Sequence, residues 1–161
     1  MKTLSLFAIC ALFILAGCES PVEYTADQLT LAQFNTEPGY SWFPAEVRKY
    51  QPDTAKVAAI RAAFKANPVT TAIFVSPSCT CVGTQKNFPH LISTLRAAGI
   101  PDSTVTVYTM KNAQTKHALQ DRVTVSSLPT FYFMRGTTGK MMVPKSDTTY
   151  RVEPDILIAL Q

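Results

Sequence analysis

The stretch that decides the fold lies at residues 69–84 and reads V-T-T-A-I-F-V-S-P-S-C-T-C-V-G-T. Its first part is apolar or β-branched throughout, which predicts a buried strand from Val69 to Val75. Cys79 and Cys81 follow this strand, with only Thr80 between them. Apolar side chains then recur at helical spacing, so the two cysteines are predicted at the junction between a strand and a helix.

The rest of the chain alternates between helical and extended patterns. Asp53 or Thr54 can cap a helix that runs to Asn67, where Pro68 stops it. The predicted elements after the cysteines are a helix to Ala98 with a kink at Pro89, a strand at Thr104–Met110, a short helix at Asn112–Asp121, a hairpin of Thr130–Met134 and Lys140–Val143, and a last helix at Asp155–Leu160. This order calls for a central mixed sheet with helices on both faces.

The N-terminus has the pattern of an export signal. Lys2 is the only charged residue before residue 19, and the apolar run at residues 4–16 is too short to span a bilayer comfortably. The run ends in L-A-G-C at residues 15–18, which resembles the lipobox of bacterial lipoproteins. In those proteins the cysteine, here Cys18, receives a diacylglyceryl group before the signal is cleaved. An ordinary secretory signal cleaved nearby is the alternative.

These patterns divide the chain into three parts. Residues 1–17 are predicted as a lipoprotein signal peptide, residues 18–40 as a polar tether, and residues 41–161 as a domain. Removing 17 of the 161 residues leaves 144, which is enough for one domain with a substantial core. We therefore expect a monomer in the bacterial cell envelope, facing the periplasm or the exterior. Acyl chains such as palmitate would anchor it to the inner or the outer membrane.

The charge pattern argues against a nucleic-acid partner. The formal net charge of +4 at pH 7 falls to +3 once Lys2 leaves with the signal. The remaining basic residues are scattered from Arg48 to Arg151 without forming a cluster. Nucleic-acid binding by contrast leaves a basic patch or stripe in the sequence.

The number of cysteines bears on the role of the closely spaced pair. The chain has four cysteines, of which Cys10 lies in the signal and Cys18 is the predicted lipid site. Cys79 and Cys81 then remain, and they can pair with each other or with another molecule. A structural disulfide stabilises a fold more when it closes a longer loop, and a bridge across one residue closes almost none. A role in thiol chemistry therefore explains this pair better than a structural role does.

The order of elements, with a cysteine pair after a buried strand and an L-P-T loop before a later strand, resembles the thioredoxin-like fold superfamily. The resemblance covers roughly residues 55–160 and implies an α/β three-layer sandwich. It implies that Pro129 is a cis-proline facing the cysteines, and that Thr80, Leu128 and Thr130 contact the substrate. It implies no cofactor and no resident metal.

The chemistry implied by this resemblance is thiol–disulfide exchange with protein thiols or disulfides of the envelope. Cys79 is the expected nucleophile because a helix N-terminus offers free N–H groups and a positive dipole end, which stabilise a thiolate. Cys79 would attack a substrate disulfide, and Cys81 would resolve the mixed disulfide. The same steps in reverse oxidise a substrate, so the direction of electron flow stays open.

Two features depart from the thioredoxin pattern. Thioredoxins usually have two residues between the cysteines, whereas this chain has only Thr80. The smaller ring is expected to be strained and therefore easily reduced. In addition, Ile73 occupies the strand position where thioredoxins often carry a buried aspartate that relays protons. This second departure favours slow, substrate-specific exchange.

Two other classes of function remain open. In the first, the domain is a redox-inert scaffold that binds a partner in an envelope assembly, since fold alone does not determine function. In the second, it is a copper carrier in which Cys79 and Cys81 are thiolate ligands together with His90 or His117. Neither histidine lies at a short-motif spacing from the cysteines, and no methionine-rich run supports copper.

Overall fold

The computed structural model describes residues 25–76 and 79–161. Within this part of the chain the α-helices are α1 (Leu31–Phe34), α2 (Phe43–Lys49), α3 (Thr54–Ala66), α4 (Phe88–Ala97) and α5 (Glu153–Leu160). The strands are β1 (Asp27–Thr30), β2 (Thr70–Val75), β3 (Val105–Thr109), β4 (Thr130–Arg135) and β5 (Thr138–Met142). The predicted signal peptide and the lipid site Cys18 lie outside the described residues.

The strands form one mixed sheet in the order β1-β3-β2-β4-β5. Strands β2 and β3 are parallel, and the chain between them contains α4, whereas the other neighbouring pairs are antiparallel. Strand β2 is central, with Ile73 paired to Val107 on one side and to Phe131 on the other. The prediction of an α/β architecture with a central mixed sheet is confirmed, and the cysteines follow the carboxyl end of its middle strand.

The two faces of the sheet are covered differently. Successive side chains of a strand point to opposite faces, so Ile73 and Val75 enter one core and Phe74 enters another. The first core takes buried side chains from α1 through α5. The second core is covered by the segment at residues 110–128, and none of its described members belongs to a helix. The prediction of helices on both faces is therefore wrong for the described residues.

The helix predicted at Asn112–Asp121 is a series of turns. The side chain of Asn112 accepts a hydrogen bond from the backbone of Gln114 at 3.0 Å. The backbone of Asn112 in turn donates to the hydroxyl of Thr115 at 3.1 Å. Such local bonds offer the backbone an alternative to the helix. The turns lead to Val123 and Val125, which close the second core.

The predicted tether at residues 18–40 is wrong from Thr25 onward, because this part belongs to the fold. Strand β1 pairs with β3, and α1 begins at a capping box formed by Thr30 and Gln33. Phe34 is fully buried, with its ring centroid 5.0 Å from that of Phe43. Together with Leu31 and Tyr40, it joins the first core. A few well-spaced apolar side chains are enough to fold a segment whose composition is otherwise that of a linker.

The helix after the cysteines begins in an unexpected way. A π-helical turn at Gly83–Asn87 precedes α4, and Pro89 lies in the first turn of α4 instead of kinking its interior. Proline is tolerated there because the first N–H groups of a helix have no partner within the helix. Helix α3 agrees with its prediction, since the carboxylate of Asp53 accepts bonds from the backbone of Ala55 and Lys56.

Candidate functional site

Cys79 and Cys81 form a disulfide directly after β2, and their Cα atoms are 5.3 Å apart. Both cysteines are half-buried and Thr80 between them is exposed. The bridge therefore lies at the surface, at the edge of the sheet where the parallel strands β2 and β3 end. Another molecule can approach it without disruption of the core.

Backbone groups hold the bridge in place. The backbone N–H of Cys79 donates to the carbonyl of Ser76 at 3.2 Å, and the backbone N–H of Cys81 donates to Cys79 Sγ, also at 3.2 Å. The first helical bond runs from the backbone of Gln85 to the carbonyl of Cys81 at 2.9 Å. Cys79 thus lies just before the first helical turn, and its sulfur accepts a backbone hydrogen bond there. This contact is suited to stabilising a thiolate at Cys79.

The peptide bond between Leu128 and Pro129 is cis, as expected. Pro129 packs against the backbone of Gly83, two residues after Cys81. A Cβ atom at Gly83 would lie 2.6 Å from Pro129 Cδ and 2.8 Å from Cγ. Only glycine allows this approach, so the proline loop rests on the turn that carries the cysteines. The sequence prediction did not single out Gly83, although it follows the cysteines within the opening motif.

The residues predicted to contact a substrate differ in exposure. Thr80 is exposed, Leu128 is half-buried and Thr130 is buried. The hydroxyl of Thr130 donates to the carbonyl of Ser127 at 2.6 Å, so it closes the proline loop internally. Only Thr80 and Leu128 among the three present side-chain surface that a partner could touch.

A buried threonine lies next to the second cysteine. Thr84 is fully buried, and its hydroxyl oxygen lies 3.4 Å from Cys81 Sγ. One turn further along, buried Asn87 donates from Nδ2 to the carbonyl of Lys145 at 2.7 Å. The sequence prediction missed both residues, although the spacing of three between Cys81 and Thr84 is that of neighbours on one helix face.

The strand position that often carries an acid in thioredoxins is apolar here. Ile73 is fully buried in the first core. The polar side chain that the structure brings to a site sulfur is the neutral hydroxyl of Thr84.

The two histidines considered as copper ligands have aromatic neighbours. The ring of His90 stacks on that of Tyr50, with centroids 3.8 Å apart and planes 12° from parallel. Burial and then the nearby Lys86 cation hold the pKa of His90 below its usual value. His117 is buried with its ring centroid 4.8 Å from that of Phe74. Among the described residues, no group of three or more His, Cys, Asp or Glu side chains could hold a metal ion.

Comparison of the chain with models of protein families, with curated proteins and with solved structures found no match. In the stretches 25–76 and 79–161, no helix is long and apolar enough to cross a membrane. What the site can do must therefore be inferred from its own geometry.

Proposed function

We propose that this protein is a thiol–disulfide oxidoreductase of thioredoxin-like type, tethered in the bacterial envelope through a lipid on Cys18. One observation carries the proposal: the Cys79–Cys81 disulfide is half-buried at the surface, and the turn after it packs against the cis-proline Pro129. A surface disulfide that encloses a single residue is better suited to exchange than to stabilising a loop.

The thioredoxin-like part of this proposal is supported by the order of the strands. The parallel pair β2 and β3 connected through α4, followed by the antiparallel strands β4 and β5 and then α5, resembles the core of that fold. The cysteines follow the end of β2, and the cis-proline directly precedes β4. These are the positions that the resemblance implies. The antiparallel β1 and the placement of helices on one face are departures, so the proposed kinship concerns residues 70–160.

The proposed reaction is a pair of exchange steps. In the reduced protein, the Cys79 thiolate attacks one sulfur of a substrate disulfide, and the other substrate sulfur leaves as a thiolate that takes a proton from water. The Cys81 thiolate then attacks Cys79 Sγ, which restores the Cys79–Cys81 bond and releases the second substrate thiolate. Two electrons pass from the protein to the substrate. In the opposite direction the bridge oxidises a substrate dithiol by the same steps.

The proposed partners are protein thiols or disulfides of the envelope. The hydrogen bond from the backbone of Cys81 to Cys79 Sγ supports Cys79 as the attacking atom. The exposed Thr80 leaves room for a partner chain beside it. Whether the protein acts as an oxidant, a reductant or an isomerase then depends on the redox potential of its partners.

Trapping of mixed disulfides tests this proposal. A Cys81→Ser variant lacks the resolving thiol and should accumulate adducts through Cys79 that dithiothreitol releases. The matched control is Cys79→Ser, which should accumulate far fewer. Mass spectrometry of the adducts from envelope extracts identifies the substrates, and insulin reduction and refolding of scrambled ribonuclease report the direction of exchange.

The same experiment separates the alternative. A redox-inert scaffold predicts no trapped adducts and no activity in either assay, together with partner binding that survives replacement of both cysteines. That combination of results would overturn the proposed function.

A further inference from the structure

We propose that Thr84 is the positioning residue for the resolving cysteine, and that its hydroxyl holds and activates the sulfur of Cys81. The effect on turnover rests on the proposed function, whereas the effect on the Cys81 sulfur itself does not. The inference supplies a polar group for a site in which Ile73 replaces the expected acid.

Thr84 is the buried member of this contact, whereas Cys81 is half-buried. Thr84 is 0% exposed, and its hydroxyl oxygen lies 3.4 Å from Cys81 Sγ. Within the described residues, this sulfur is the one hydrogen-bond partner of the hydroxyl. A buried hydroxyl without a partner is costly. The sulfur and the hydroxyl therefore hold each other in place.

The backbone fixes the geometry of the pair. Cys81 accepts the first helical hydrogen bond, from the backbone of Gln85 at 2.9 Å, so Thr84 lies three residues along the same turn. The neighbouring Gly83 packs against Pro129, and Asn87 is tied to the carbonyl of Lys145. A β-branched side chain also has few χ1 rotamers available in a helix. Thr84 thus has little freedom to turn its hydroxyl away.

The direction of the hydrogen bond follows from the chemistry of sulfur. A disulfide sulfur carries no proton, so the hydroxyl of Thr84 donates to Cys81 Sγ in the oxidised protein. After reduction the same donor faces the Cys81 thiolate, and a hydrogen bond to the charged form favours that form. The resolving step begins when this thiolate attacks Cys79 Sγ. Thr84 therefore increases the fraction of Cys81 that is ready to attack.

The test measures the reactivity of Cys81 alone. In a Cys79→Ser background, alkylation of Cys81 by iodoacetamide is followed from pH 5 to pH 10 by mass spectrometry of the peptide that carries it. Adding Thr84→Val should move the midpoint of alkylation to higher pH by roughly one unit and slow the reaction near neutral pH roughly tenfold. Adding Thr84→Ser should leave the midpoint within about half a pH unit and the rate near neutral pH within about threefold.

A second pair of variants guards against loss of folding. Thr84→Ala and Thr84→Ser both lack the methyl group and differ only in the hydroxyl, so their comparison isolates the hydrogen bond if the valine variant is not folded by circular dichroism. Equal alkylation profiles for the folded pair would overturn the inference. A shifted profile for Thr84→Ala with a normal profile for Thr84→Ser would support it.

Failure of this inference is distinguishable from failure of the proposed function. The alkylation profile needs no substrate, so it can shift even if the wild-type protein exchanges disulfides with nothing. Conversely, a protein that exchanges disulfides but shows no shift retains its function without the role assigned to Thr84. With both correct, Thr84→Ala should accumulate mixed disulfides more than Thr84→Ser does, because resolution by Cys81 slows.

Discussion

Two polar clusters of this protein differ in the groups that they contain and in the partners that hold those groups. One is the Glu153 cluster, formed by Glu153, Tyr50, Asp53 and Arg151, where the first turn of α5 meets the start of α3. The other is the cysteine site. The first cluster holds an ionised group with many partners, whereas in the second a backbone N–H and a hydroxyl contact the sulfurs.

The buried carboxylate of Glu153 has several hydrogen-bond donors. Glu153 is 0% exposed, and its carboxylate accepts bonds from the hydroxyl of Tyr50 at 2.9 Å, the backbone of Asp53 at 3.0 Å and the guanidinium of Arg151 at 2.7 Å. Burial alone would raise the pKa of Glu153, but the hydrogen bonds from the Asp53 backbone, Arg151, the Glu153 backbone and Tyr50 together hold the pKa below its usual value. This carboxylate joins parts of the fold that are a hundred residues apart.

The difference teaches where each kind of interaction is useful. A buried charge with several donors is rigid and costly to disturb, which suits a structural joint. A sulfur that must change between thiolate and disulfide is better served by a weak, neutral donor that fits both states. The molecule places the buried carboxylate of Glu153 at the joint and the hydroxyl of Thr84 at the sulfur of Cys81.

The largest effect is expected at the Glu153 cluster. Glu153→Ala removes the acceptor of the Tyr50 hydroxyl and of the Asp53 backbone N–H, and the carboxylate that pairs with Arg151. It should lower the free energy of unfolding by about 3 kcal/mol. Glu153→Gln keeps the shape and part of the bonding and should cost less. Urea unfolding followed by circular dichroism measures both. A loss for the alanine variant as small as that of an exposed substitution would remove the contrast between the clusters.

The next effect concerns the cysteine site. Gly83→Ala places a methyl group against Pro129 and must move either the proline loop or the turn of the cysteines. We expect a loss of about 1–3 kcal/mol in stability and disulfide exchange at least tenfold slower. Gly136→Ala is the matched control for the loss of a glycine. The φ of +57° makes alanine unfavourable at position 136, but the added methyl group meets no atom there. Gly136→Ala should therefore lower stability without changing the rate of exchange.

The stability of the fold should also depend on pH through His90, which stacks on Tyr50 of the Glu153 cluster. The fold lowers the pKa of His90, through burial first and the Lys86 cation second, while Glu153 and Glu46 act in the opposite direction. Because the unfolded chain then binds the proton first, stability should fall as pH drops below the unperturbed value of about 6.5. His90→Phe, which can keep the stack on Tyr50, should weaken this dependence. Part of the pH dependence should remain in this variant, because burial also lowers the pKa of His117.

The smallest effect is expected for a surface ion pair. Lys86 contacts Glu46 at 2.7 Å, but Glu46 also binds Lys49 at 2.6 Å and both lysines are well exposed. Lys86→Ala should therefore change stability by less than about 1 kcal/mol. Thermal unfolding at low and high salt measures it. A loss comparable to that of Glu153→Ala would mean that exposed charges matter as much as the buried cluster.

Strong periodic patterns made part of the fold predictable. Strand β2 and helix α3 were predicted within one residue, because the β-branched content of the strand and the Asp53 cap of the helix are local signals. The cis-proline at Pro129 was expected from the resemblance carried by the cysteine pair and the L-P-T loop, since a proline before a strand does not by itself fix the isomer. Strand β1 and helix α1 were not predictable, because their apolar residues are few and pack against a core formed by distant parts of the chain.

The remaining parts of the site depend on contacts that no local pattern encodes. The importance of Gly83 appears only when Pro129, distant in sequence, is packed against it. The role of Thr84 depends on the π-helical turn that sets its hydroxyl beside Cys81. The segment after Asn112 was predicted as a helix because Asn112 can cap one, but side-chain bonds to its own backbone produce turns instead.

Helices cover one face of the sheet and the turns at residues 110–128 cover the other. The two faces should therefore unfold in different ways. Helices that share one core come apart together, so deuterium should reach their amides only when the whole domain unfolds. The turns at residues 110–128 are held by short-range bonds of their own, by a few apolar side chains and by isolated bonds to other segments, such as the one from the backbone of Ala26 to the carbonyl of Lys116 at 2.7 Å. We therefore expect that side to open at a lower free energy than the helical side, and to expose Phe74 to solvent while the helices on the far side stay intact.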